Sequence, residues 1–321
     1  MSDSYLLAAG LLAAGPISAP PPPLPPNWLE SFRALFDAEE LESLTTASVV
    51  AANPTVEKVE PEFSGLGKVA PLREWQPKVS SPSSGSQLYA QRRTALKAGQ
   101  LYTRLSPGSF AGVWGKARQQ PTHQQWKSLL AQEARAIAKG QGTNRLNVLV
   151  GDSLSLWFPS EFLPRGKFWL NQGISGENSG QIRQRVKLID QTRPNTVYVM
   201  AGVNDLRQGA DDATILNNIR AIARHLRKTH PESEIVLQSI LPTRRAELSN
   251  TRIRRLNRQI VQIAQQEGAN YLNLHSLFTD EQGQMRPELT TDGLHLSREG
   301  YGVWQSAMQQ AEDWLAIHNV R

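Results

Sequence analysis

From Gly142 onward the chain alternates short apolar runs with longer amphipathic stretches, and this alternation constrains the fold more than any other feature. The apolar runs fall at 147–150, 168–171, 196–201, 234–240 and 270–274. Stretches with helical spacing lie near 180–190, 212–229 and 250–267, and a last one near 298–317. In the third of these, Ile253, Leu256, Ile260 and Ile263 share one face, with Arg252, Arg254, Arg255 and Arg258 toward the other. Strands alternating with helices predict an α/β protein with a parallel sheet and helices on both of its faces. Binding sites in such sheets lie beyond the carboxyl ends of the strands.

The first 140 residues have a different texture. Tyr5 to Ala19 is apolar and uncharged, shorter than the roughly 20 residues of a membrane-spanning helix, and no Lys or Arg precedes it as a secretory signal requires. Weak membrane association through residues 5–19 stays open, and with it a cytoplasmic or a membrane or cell-envelope location. Residues 16–26 hold seven prolines, a polyproline-II spacer. Asn27 to Leu44 reads as an amphipathic helix with Trp28, Leu29, Phe32, Leu35 and Phe36 on one stripe. Thr45 to Gly85 loses periodicity and reads as linker. Ser86 to Arg104 predicts another helix. Thr122 and Gln125 are spaced as a capping box that opens a helix running to Gly140. The expected organisation is therefore an apolar, Pro-rich segment over 1–26, a helical and partly disordered extension over 27–144, and an α/β domain over 145–321.

The chain has no cysteine, which removes disulfides, thiolate metal sites and thiol nucleophiles. Its net charge of +6 raises the question of a polyanion partner. Residues 1–62 hold nine acids and two bases, leaving 33 bases against 20 acids in the remainder. Those bases scatter over several helices and loops with no aromatic-interleaved stripe, so no nucleic-acid partner is expected.

Polar residues follow the strands where a site would lie. Ser153 follows the first run, Gly173 the second, Asn204 the third, and Asp292-Gly293-Leu294-His295 the fifth. Ester cleavage needs a nucleophile, a base, a group that orients the base, and donors for an oxyanion. Ser153 suits the first role and His295 the second, while Asp292, three residues earlier, can share one side of a turn with it. The amides of Ser153 and Gly173 and the Asn204 side chain would supply three donors. Asp152 and Asp205 are expected to fix loops, and His123, His225, His230, His275 and His318 to face solvent or pack. Leu156, Trp157 and Phe158 could line an acyl pocket or pack the first helix. Arg207, Arg244 and Arg245 lie in loops at the catalytic end, where guanidinium groups can hold a phosphate or carboxylate.

Gly151-Asp152-Ser153-Leu154, Asn171-Gln172-Gly173, Gly202-Val203-Asn204-Asp205 and Asp292-Gly293-Leu294-His295 resemble, in order, the four signature blocks of the SGNH (GDSL) hydrolase superfamily. The resemblance covers roughly residues 145–317. It implies a flavodoxin-like three-layer α/β/α fold with five parallel strands, no metal or other cofactor, and hydrolysis through an acyl-serine intermediate. Ser153, Asp292 and His295 would form the triad, and the Ser153 amide, Gly173 and Asn204 the oxyanion hole. The expected function is a lipase- or lysophospholipase-like serine esterase acting on a small-molecule, lipid or glycan ester. A carbohydrate O-acetylesterase or acyltransferase on the same site, and a binding scaffold with an idle hydrolase domain, are the alternatives.

Overall fold

Leu146–Gly151 is buried at every position, because the strand it forms is covered on both faces. The computed structural model describes residues 81–318. Five parallel strands, Leu146–Gly151 (β1), Phe168–Gly173 (β2), Thr196–Val199 (β3), Glu234–Gln238 (β4) and Asn270–Leu272 (β5), form one sheet in the order β2-β1-β3-β4-β5. The β1–β2 register sets Gly151 beside Gly173. This is the five-stranded, flavodoxin-like α/β/α arrangement expected from the sequence.

Successive strand side chains point to opposite faces, and the two cores follow that period. Leu146, Val148 and Val150 enter one core with the helices His123–Gly140 (α3), Ser179–Arg185 (α5), Asp212–Thr229 (α7) and Asn250–Gln266 (α8). Leu149, Trp169, Tyr198, Val236 and Leu272 enter the other, with Leu274–Phe278 (α9) and Arg298–His318 (α10). The apolar stripe of α8 is the expected one, with Ile253, Leu256, Ile260 and Ile263 all buried. The helix expected over 180–190 breaks in two: α5 is followed by a 3-10 turn at Val186–Ile189. Among the described residues no helix is long and apolar enough to cross a membrane.

The expected boundary between residues 144 and 145 does not separate two bodies. Ala134 and Ile137 of α3 share a core with Leu146 and Val148. Gly85–Lys97 (α1) and α3 also pack on Leu156 and Ile174 through Leu88, Ala95, Trp126 and Leu130. Arg92 of α1, fully buried, donates to both oxygens of Glu133, at 3.1 and 2.5 Å, and to the Asn171 carbonyl at 2.7 Å. Thr103 donates to the Trp169 carbonyl at 2.7 Å. The capping box opens α3 as its spacing predicts: Thr122 Oγ1 accepts the Gln125 N–H, and Gln125 accepts the Thr122 N–H. The readings for residues 1–80, including the apolar segment and the 27–44 helix, lie outside the described residues.

Candidate active site

Ser153 and Asn204 stand just past the carboxyl ends of β1 and β3, where the chain turns, and His295 comes from the loop ahead of α10. At the end of β1, a Cβ on Gly151 would lie 2.3 Å from Ser155 Oγ and 2.8 Å from the Met200 carbonyl, so only glycine allows the approach. Asp152 then caps the short helix Ser153–Leu156 (α4), accepting the Leu154 N–H at 3.0 Å. This sets Ser153 on the first turn, nearly buried, with no partner for its N–H within the described residues. Its Oγ lies 3.2 Å from His295 Nε2.

The loop that carries His295 is built around one carboxylate. Asp292 Oδ1 accepts the N–H groups of Leu294 and His295 at 3.0 and 2.8 Å. Its Oδ2 accepts His295 Nδ1–H at 3.0 Å and Arg245 Nη2–H at 3.0 Å. Partial burial alone would raise this carboxyl, but the His295 ring and the two backbone donors outweigh it and hold Asp292 far below the usual carboxylate range. With its Nδ1 proton directed at a carboxylate, His295 presents Nε2 to Ser153 as an acceptor. Arg244 braces the same loop: its N–H donates to the Gly293 carbonyl, and its guanidinium binds Asp280 and the Met285 carbonyl.

Of the expected oxyanion donors, Asn204 lies against Asp152, the residue before Ser153, and the Gly173 amide is bound elsewhere. Asn204, on Val203–Arg207 (α6), donates through Nδ2 to the Glu177 carbonyl at 3.0 Å and to Asp152 at 3.3 Å. Arg207 donates to Asn204 Oδ1 at 3.1 Å, which fixes the amide's orientation. The Gly173 N–H is bound to Asn171 Oδ1 at 2.9 Å. Gly173 is glycine for another reason: a Cβ there would sit 2.3 Å from the Leu156 backbone nitrogen. The sequence points to Gly173, the last residue of β2. Three residues on, Gly176 has φ +80, open space on its Cβ side, an exposed position and an N–H without a partner among the described residues. Its neighbour Glu177 is the residue whose carbonyl holds Asn204. The features that single out Gly176, its positive φ and the loop's tie to Asn204, exist only in the fold.

Beneath the site lies a buried acid cluster. Burial pushes the Asp152 carboxyl up to about 6, against the Leu154 N–H and the His295 charge that lower it. Asp205 accepts the Ser179 hydroxyl and N–H at 2.5 and 2.7 Å, the loop-fixing role expected of it. Glu177 accepts from Arg185 at 2.5 Å and from His123 at 2.7 Å, while Arg185 also reaches the Gly151 carbonyl at 2.9 Å. His123 and His225 are thus not free solvent histidines, since His225 pairs with Asp190 at 2.8 Å. Leu156 and Phe158 pack, the latter edge-on to Tyr301 and Trp304, whereas Trp157 is half-buried. An apolar cavity of about 10 Å³ sits beside Asp152 and Leu154, walled by Met200, Val203, Ile240 and Leu294. Among the described residues no three His, Cys, Asp or Glu side chains converge as metal ligands would.

A sequence model of the GDSL-like Lipase/Acylhydrolase family matches residues 109–303. Among solved structures, a Streptococcus pneumonia protein named for platelet activating factor is 25% identical, with a TM-score of 0.53 over 60% of this chain and 94% of that one. A GDSL-like lipase from Bacteroides thetaiotaomicron, 22% identical, gives a TM-score of 0.53 over 58% of this chain and 97% of its own, and so shares the fold. No curated protein matches. Fold and family together define an ester-hydrolysing hydrolase. The chain belongs to the GDSL-like Lipase/Acylhydrolase family.

Proposed function

We propose that this protein cleaves short-chain acyl esters through an acyl-serine intermediate on Ser153, with His295 as the base and Asp292 as its orienter. The observation that carries the reading is the unbroken relay from Ser153 Oγ to His295 Nε2 at 3.2 Å and from Nδ1 to Asp292 at 3.0 Å. Ser153 Oγ attacks the ester carbonyl as its proton passes to Nε2. The tetrahedral oxyanion draws on the free amides of Ser153 and Gly176 and on the Asn204 Nδ2 hydrogen whose bond to Asp152 is the longer one. Collapse expels the alcohol, which takes the proton from His295. Water then gives a proton to His295, its oxygen attacks the acyl carbon, and Ser153 recovers its proton as the acid leaves.

The apolar cavity of about 10 Å³ lined by Asp152 and Leu154, the chain neighbours of Ser153, has room for about one water, so an alkyl chain would find no space in it. That size favours a short acyl group over the lysophospholipase reading. Fluorophosphonate labelling with peptide mapping tests the nucleophile, and acetyl against octanoyl aryl esters test the acyl size. One adduct on Ser153 and a preference for acetyl are expected. Wild-type turnover by Ser153→Ala would overturn the mechanism.

A further inference from the structure

The loop between β2 and α5, residues 174–178, carries one proposed oxyanion donor and the carbonyl that aims another. Gly176 offers an N–H with no partner among the described residues, and the Glu177 carbonyl accepts Asn204 Nδ2–H at 3.0 Å. Donors stabilise an oxyanion to the extent that they are already aimed when the charge develops, so this backbone must be held in place.

Two buried side chains anchor the loop, and the segment ahead of the sheet grips both. Ile174 packs in one cluster with Leu88 of α1 and Trp126, Leu129 and Leu130 of α3. The Glu177 side chain is 1% exposed, and its carboxylate is met from two sides. Oε2 accepts Arg185 Nε–H from α5 at 2.5 Å, and Oε1 faces His123 Nε2 at 2.7 Å. A carboxylate has no hydrogen to give, so Nε2–H is the donor. Arg185 also ties this group to β1 through the Gly151 carbonyl at 2.9 Å, just ahead of Asp152 and Ser153. His123 is the first residue of α3, where the Thr122–Gln125 capping box fixes the start of the helix. Its ring is 45% exposed and stands between Glu177 and water.

Resting on the acyl-serine reading above, we infer that His123 is a positioning residue for ester cleavage. It touches no reacting atom. Through Glu177 it holds Gly176 and Asn204 where the oxyanion will form, with Arg185 as the second support of the same carboxylate. The helix ahead of β1 thus supplies a working part of the site as well as a share of the core.

The test measures kcat and KM of the full chain on p-nitrophenyl acetate at one fixed pH, with urea unfolding of each variant alongside. His123→Ala should lower kcat by about tenfold with KM unchanged, as the misplacement of groups that act only in the transition state does. His123→Gln sets an amide N–H close to where Nε2–H stood and should bring kcat back to within about twofold of wild type. In an Asn204→Ala background, His123→Ala should cost clearly less than it does alone, because one of the groups it positions is already gone. Wild-type kcat in His123→Ala, while the unaltered chain turns the ester over, overturns the positioning role and leaves the esterase reading standing. A fall of undiminished size in the Asn204→Ala background overturns it too. So does an equal fall in His123→Ala and His123→Gln together with easier unfolding, which would make His123 a support of the fold alone. An unaltered chain that neither cleaves the ester nor takes a fluorophosphonate on Ser153 overturns the esterase reading itself.

Discussion

Two arginine–carboxylate pairs in this molecule have the same chemistry and opposite settings. Arg92 and Glu133 join α1 to α3 with side chains 0% and 5% exposed, while Arg245 and Asp292 meet at the catalytic rim at 40% and 37%. Water screens the rim pair, and such contacts contribute about 0–1 kcal/mol. The interior pair has no such screen, and removing one partner strands a charge at a cost of about 3–5 kcal/mol. The first holds the fold together, whereas the second touches the carboxylate that accepts His295 Nδ1–H.

The comparison can be broken from either side. Ser153→Ala should remove turnover by about 10⁴-fold or more, since triad members act as a unit, with unfolding in urea unchanged. Arg92→Met should do the reverse in origin: a loss of about 3–5 kcal/mol in urea unfolding, which Arg92→Met with Glu133→Leu largely restores. A chain beginning at residue 141 should be insoluble for the same reason. If Arg92→Met unfolds like wild type, the interior pair is not what fastens the flank.

Smaller effects sharpen the rim. Asn204→Ala should lower kcat by about 10²–10³, as the loss of an oxyanion donor does. Asp152 links the site to stability with a definite sign. Its folded carboxyl titrates near 6 and an unfolded one near 4, so the folded state binds the extra proton. That contribution is present below about pH 4 and is lost as pH rises through 6, on the order of 3 kcal/mol. Thermal melts at pH 4 and pH 7 should therefore show a smaller difference for Asp152→Asn than for wild type. Least of all, Arg245→Gln should leave urea unfolding within about 1 kcal/mol. It removes one donor from the Asp292 Oδ2 that holds His295 Nδ1–H, so kcat/KM on an aryl ester should fall by about threefold at neutral pH. An unchanged kcat/KM would reduce Arg245 to a surface charge.

The sheet and the loop that joins Asp292 to His295 were legible because they are local. The period of Ile253, Leu256, Ile260 and Ile263, and the three-residue spacing of Asp292 and His295, need no distant partner. The flank was not legible, because Arg92 meets Glu133 forty-one residues away and Thr103 meets Trp169 across sixty-six. In sequence a buried arginine reads like a solvated one. Gly173 misled for a related reason: its small size serves the approach of Leu156, while the free amide belongs to Gly176.

Strand β2 ends the sheet order, so one side of its backbone faces no further strand. The Trp169 and Asn171 carbonyls on this strand are taken by Thr103 and Arg92, alternate positions along it answered by side chains from the flank. An unprotected edge of this kind is a template on which another chain can add a strand. The segment that first reads as an appendage thus doubles as a guard against self-association. A variant that loses it would be expected to polymerise through β2 long before its core melts.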